Sequence, residues 1–265
     1  MAGLILHLVL LVTLVGGGVT AFAQGITSLS KGNEKQPSEC VVLLHGLGKS
    51  ARSMQWLSYE LSQSYQVANI SYPSLSKPIE QLAAPTVEAG LQQCRGLGAD
   101  RVHFVTHSMG GILLRHYLAH HEISSLGRVV MLGPPNQGSE IIDQLQQWEF
   151  VADLLGPAGN QLSTIPTSVP NSLGAVEFEL GVIAGNQTVN PILSLWLPDA
   201  DDGKVSVERA QVEGMSDFLV VDASHPLLMW RPDVTLQVEA FLQTGHFSVN
   251  PATDHSSDRA ERSNG

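Results

Sequence analysis

The chain has 265 residues, of which 43% are hydrophobic and only 15% charged, with a formal net charge of −11. That length suits one large domain able to bury its core without staples. The acidic balance excludes the basic stripe that a nucleic-acid partner requires, and leaves apolar surface as the route for any peripheral membrane contact.

Residues 1–23 read as a secretory signal. Leu4 to Val15 is an almost unbroken apolar run, Gly16-Gly17-Gly18 follows, and Ala21-Phe22-Ala23 offers the small residues an export peptidase reads, with cleavage before Gln24. The expected location is therefore outside the cytoplasm, periplasmic or secreted. No Lys or Arg precedes the run, and Leu4 to Ala23 would also just span a bilayer, so an uncleaved anchor is the alternative. Residues 24–39 are polar and turn-rich and read as a linker. In an exported chain the two cysteines, Cys40 and Cys94, form a candidate disulfide; the alternative is two buried thiols.

From Cys40 onward strands and helices alternate. Cys40–His45 is a short, apolar, β-branched run of the kind buried on both faces of a sheet. Residues 52–64 carry Met54, Leu57 and Leu61 at helical spacing, Gln66–Ser71 reads as a second strand, and 78–95 as a helix that Pro85 should kink. Arg101–His107 is a strand, Met109–His121 a helix, and Arg128–Leu132 a strand closed by Gly133-Pro134-Pro135. Residues 139–175 break this rhythm, with one helical segment followed by turns rich in Gly, Pro, Ser and Asn; they read as a short cap inserted between strands. Glu177–Ala184 resumes the sheet, Asp217–Asp222 is its last strand, and 232–243 is a closing helix. The polar tail, 246–265, is expected to be disordered. The fold expected over 40–245 is α/β: a mostly parallel central sheet of about six strands flanked by helices.

The chemistry centres on Thr106-His107-Ser108-Met109-Gly110-Gly111, where a strand turns into a helix. A serine hydroxyl needs exposure to a base and to a substrate, and a sharp strand-to-helix turn provides it at the carboxyl edge of the sheet. Small residues must flank such a turn. Gly110 satisfies this on one side, while Thr106 stands where glycine is usual, so the turn must open slightly or the hydroxyl must bond locally. The helix starting at Met109 also aims unpaired N–H groups at the site. His45-Gly46-Leu47-Gly48 follows an earlier strand, and its glycines let the loop approach closely, so that the N–H groups of Leu47 and Met109 form an oxyanion pair. His45 itself reads as a structural hydrogen-bonding residue. An acid and a base follow in order: Asp199, Asp201 and Asp202 in one loop, and His225 after the last strand. Asp202, directly before Gly203, is the first choice for the acid, Asp201 the second and Asp199 the third.

The HGLG, THSMGG, DADDGKVSV and SHPLL segments resemble the bacterial lipase and esterase branch of the α/β-hydrolases, and the likeness runs from about Cys40 to Leu242. The resemblance implies Ser108 as nucleophile, His225 as base, Asp202 as acid, Leu47 and Met109 as oxyanion donors, and Gly133–Ser139 as part of an acyl-binding wall. It implies a small-molecule or lipid ester substrate and no cofactor. Phospholipid or thioester cleavage and acyl transfer use the same triad, and a non-catalytic binding protein could retain the fold. The cap is short and not strongly apolar in sequence. Trp148 and Trp196, which flank it, are candidates to line an acyl pocket. His116 and His120, four apart on a helix, more often mark a solvated face than a zinc site.

Overall fold

A computed structural model describes residues 39–188 and 200–248. The signal segment, most of the linker, Asp199, Trp196 and the tail beyond Ser248 lie outside the described residues. Six strands form one sheet, every pair parallel, in the order β2-β1-β3-β4-β5-β6. They are β1 (Glu39–Leu44), β2 (Gln66–Ile70), β3 (Arg101–His107), β4 (Leu126–Leu132), β5 (Leu180–Gly185) and β6 (Asp217–Val221). The main helices are α1 (Gln55–Leu61), α2 (Ile79–Gly96), α3 (Met109–Leu118), α4 (Glu140–Leu145), α5 (Glu149–Asn160), α6 (Val169–Ser172), α7 (Val207–Ala210) and α8 (Pro232–Thr244).

The continuous apolar runs of the central strands follow from burial on both faces. Cys40, Val42 and Leu44 point into one core layer with residues of α2 and α3, while Val41 and Leu43 point into the other with residues of α1 and α8. Alternation along β1 therefore feeds two cores at once, and no polar face is needed. α2 comes down onto β1 at Gly90, where a Cβ would lie 2.5 Å from a Val42 methyl. The same helix continues through Pro85 to Gly96.

Strand order carries the functional consequence. The chain goes from β1 outward to β2, then crosses back so that β3 lies on the other side of β1. Adjacent strands whose connections leave in opposite directions open a crevice beyond their carboxyl ends. The loop after β1 and the turn after β3 therefore meet at that crevice.

The cap is more helical than its composition suggests. α4, α5 and α6 occupy it, and α5 resumes after a break at Gly156, whose φ of 67° lies in the left-handed region. A Cβ there would sit 2.2 Å from the Leu75 carbonyl oxygen, so glycine is what allows the cap to close against the loop after β2. The expected tail starts at 246, yet residues 246–248 are still tied to the body. The Phe247 ring lies 5.1 Å from that of Phe241, its N–H donates to Asp217 at 2.8 Å, and the Ser248 N–H donates to Gln237.

Cys40 and Cys94 form a disulfide that fastens the amino end of β1 to the last turn of α2, at the sheet edge away from the crevice. It closes a loop spanning 54 positions, for which loop-closure entropy gives about 4 kcal/mol of stabilisation. Urea denaturation with and without reductant should show a loss of that order.

Candidate active site

Ser108 is the only non-glycine residue with a positive φ among the described residues, at φ 55° and ψ −126°. Such a conformation costs on the order of 1–3 kcal/mol and persists only where packing imposes it. Packing does so here. A Cβ on Gly110 would lie 2.5 Å from the Leu44 carbonyl oxygen and 2.8 Å from that of His45, so α3 starts hard against the exit of β1. On the other flank, a Cβ on Gly46 would meet the Ser108 Cβ at 3.0 Å. The two glycines bring the β1 loop and the serine turn into contact. Neither the Leu47 nor the Met109 N–H donates to a protein acceptor among the described residues.

Thr106 is fully buried, and its hydroxyl finds no partner among the described residues. Of the two alternatives raised by the sequence, the local hydrogen bond is therefore not made among the described residues. Room comes instead from Gly111, where a Cβ would sit 3.2 Å from the Thr106 hydroxyl and 2.9 Å from the Met131 sulfur.

His225 opens a 3-10 turn just after β6, and Asp202 lies in the loop between β5 and α7. The His225 Nδ1–H donates to Asp202 Oδ2 at 2.6 Å, with both residues buried. A carboxylate only accepts, so the proton of the neutral ring sits on Nδ1 and the Nε2 lone pair is left available. The other carboxylate oxygen, Oδ1, accepts from the N–H groups of Lys204 at 3.0 Å and Val205 at 2.9 Å. Backbone joins the pair as well, the His225 N–H donating to the Asp202 carbonyl at 2.9 Å. Asp201 is turned the other way, and its carboxylate accepts from the Gly203 N–H at 2.6 Å. Of the described aspartates in this loop, Asp202 is the one bonded to the imidazole; Asp199 is not described.

Ser108 and His225 line one cavity of about 170 Å³. The Ser108 hydroxyl makes no hydrogen bond to the protein among the described residues. Leu47, Pro135 and Ser139 also line this cavity, and the cap adds Ile141, Ile142, Leu145, Leu155 and Leu162. The Gly133–Ser139 segment thus contributes wall as expected. Trp148 does not. It is 69% exposed and faces outward with Phe150 and Leu154, so the cap carries more apolar surface than its composition suggested.

Several residues touch the Asp202–His225 pair in ways the sequence reading did not assign. Gly133, at φ 54°, lies under the acid–base pair, and a Cβ there would fall 3.0 Å from both Asp202 Oδ2 and His225 Nδ1. At Gly185 a Cβ would lie 2.9 Å from the Asp202 Cβ and 2.2 Å from the Ala223 carbonyl oxygen. His107 donates from Nε2 to the His225 carbonyl at 3.0 Å and so steadies the backbone of the proposed base. The available signal was position: both glycines sit where a strand reaches its carboxyl end, and His107 adjoins Ser108. His45 is structural, as expected. Its ring stacks on Tyr72 at 4.0 Å, its Nε2 accepts from the Tyr72 N–H, and the Tyr72 hydroxyl donates to its carbonyl. The His116 and His120 rings stack at 4.8 Å, and no group of three or more metal-binding side chains forms among the described residues.

Residues 41–247 match a family described as the alpha/beta hydrolase family. Among solved structures, the mature lipase BlEst2 of Bacillus licheniformis is similar, with a TM-score of 0.62 and 20% identity over 80% of this chain and 93% of that one. The phospholipase PlaB of Legionella pneumophila gives 0.56 and 16%, over 78% of this chain and 60% of that one. An esterase of Pyrococcus furiosus gives 0.50 and 17%, over 78% and 81%. At these identities the likeness is one of fold. No curated protein matches the chain in sequence.

Burial disfavours the charged form of two site-proximal imidazoles. His45 is pushed below its ordinary value by desolvation, partly offset by its bond to the Gly46 carbonyl. His107 is pushed well below, first by desolvation and then by the neighbouring His225. The unfolded chain titrates both near pH 6.5, so below that pH it binds more protons than the folded chain, and acidification favours unfolding. Urea midpoints should therefore fall as pH is lowered from 7.5 through about 6.5 and into the folded-state range below it. The fall should be shallower in His107→Asn, which removes one of these groups.

Proposed function

Because the chain belongs to the alpha/beta hydrolase family, we propose that it is a serine hydrolase that cleaves carboxylic esters through an acyl-enzyme on Ser108. The observation that carries this reading is the 2.6 Å bond from His225 to Asp202 in the wall of the cavity that also exposes Ser108. It fixes the tautomer a general base needs.

The chemistry follows from the donors and acceptors in place. Ser108 Oγ attacks the ester carbonyl carbon while His225 Nε2 takes the hydroxyl proton. Charge moves onto the former carbonyl oxygen, where the uncommitted N–H groups of Leu47 and Met109 receive it at the positive end of α3. Asp202 stabilises the imidazolium without taking its proton, since its Oδ1 is committed to two backbone N–H groups. Collapse expels the alcohol, which leaves with the proton from His225. Water then repeats the sequence and frees the carboxylic acid. The chemistry calls for no metal or cofactor. The apolar wall of Ile141, Ile142, Leu145, Leu155 and Leu162 suits an aliphatic acyl chain.

A fluorophosphonate probe should label the wild-type protein and leave Ser108→Ala unlabelled. On p-nitrophenyl butyrate, Asp202→Asn should lower kcat by about a thousandfold or more, because the ring loses the acceptor that holds its tautomer. Equal labelling of the wild type and Ser108→Ala would remove Ser108 as the nucleophile.

A further inference from the structure

Cations are scarce in this chain, and two of them converge on the Ser108 cavity. The sequence holds five lysines, Lys31, Lys35, Lys49, Lys77 and Lys204. Three of these are described, and two of the three, Lys49 and Lys204, line the cavity. They come from the two loops that flank the serine. Lys49 lies two residues beyond Leu47 in the loop after β1, and Lys204 two beyond Asp202. The Lys204 backbone is fixed from both ends: its N–H donates to Asp202 Oδ1, and its carbonyl accepts from the Ser139 hydroxyl at 2.6 Å.

Neither ammonium has a hydrogen bond or ion pair to the protein among the described residues. Three of the seven described arginines make ion pairs among the described residues: Arg128 with Glu179, Arg209 with Glu140 and Arg231 with Asp233. In a chain of net charge −11, these two cations share one cavity wall and repel each other. Both lysines are solvent-exposed residues at the rim of the cavity; partial desolvation and then Lys49 push the Lys204 ammonium below its ordinary value, and Asp202 pulls it up. That carboxylate is already committed to His225 and to two backbone N–H groups. An anion entering between the two lysines would gain both attractions and relieve their repulsion.

We propose that the Ser108 cavity takes an ester carrying an anionic group on its alcohol portion, held between Lys49 and Lys204, with the acyl chain against the apolar cap wall. The proposal rests on Ser108 being the nucleophile. The shared chemistry is an anion a few bonds from the scissile ester, and a phosphate or a carboxylate could supply it.

The test compares three butyryl esters: 1-butyrylglycerol 3-phosphate, butyryloxyacetate and neutral 1-butyrylglycerol. For the wild-type enzyme at low salt, kcat/KM should favour at least one anionic ester over the neutral one by about tenfold, and the preference should shrink as salt is added. Preference for the phosphate ester alone identifies a phosphomonoester, and preference for both identifies charge as the feature read. The Lys49→Gln/Lys204→Gln double variant should lose the preference, and Lys49→Arg/Lys204→Arg should retain it. The same ratio read as Kd on Ser108→Ala protein separates binding from turnover. If the wild type hydrolyses none of the three, the hydrolase reading fails, while the Kd ratio still decides the role of the lysines. A wild-type ratio of one or less, or a ratio unchanged in the glutamine variant, overturns the proposal.

Discussion

The exit of β1 and the start of α3 occupy nearly the same space. The carbonyls of Leu44 and His45 stand where any side chain at position 110 would go, and the Ser108 Cβ stands where a side chain at position 46 would go. Crowding on both sides drives Ser108 into a backbone conformation that residues other than glycine seldom adopt. The rest of the site depends on this contact. It presents the hydroxyl at the sheet edge, and the Leu47 and Met109 N–H groups of the two abutting segments have no protein acceptor among the described residues. The parallel sheet makes the contact possible, since β1 and β3 pair in register up to Leu44 and Thr106 and release their loops at the same level.

Asp202 and His225 arrive by a longer route, and their placement is correspondingly over-determined. Asp202 is tied to His225 through side chain and backbone, and its second oxygen is held by two N–H groups of its own loop. Gly133 and Gly185 keep the ends of β4 and β5 clear of the pair. His107 joins the two halves of the site, because the residue before the serine bonds to the carbonyl of the proposed base. Ser108, set by local strain, and His225, set by long-range hydrogen bonds, thus share one cavity wall.

The strands were legible because burial on both faces leaves unmistakable apolar runs, as in CVVLL and in RVHFVTH, whose bounds match β3. The Ser108 turn was legible because its chemistry is local: one strand, one serine, one glycine two residues on. Asp202 could be preferred over Asp201 from its neighbour Gly203, but only the folded loop shows one carboxylate reaching the imidazole and the other bonding to Gly203. The cap was the weak point. Its helices are short, and Gly156 interrupts the longest, so no helical period accumulates along the sequence. Trp148 illustrates the same limit, since a bulky apolar residue beside an apolar cavity is as compatible with its outer surface as with its wall. Thr106 shows a third limit. Its fit depends on the absent side chain of Gly111 and on Met131 from the neighbouring strand, a packing relation that no local pattern encodes.

The claim under all of this is that Ser108 becomes acylated during turnover. Quenching the enzyme in acid a few milliseconds after mixing with excess p-nitrophenyl butyrate, then digesting it for mass spectrometry, reads that event directly. The account predicts a butyryl group on the peptide containing Ser108, accompanied by a p-nitrophenol burst of about one equivalent per active site if deacylation is the slower step. Turnover by a fully active enzyme with the butyryl group on any other residue would contradict it.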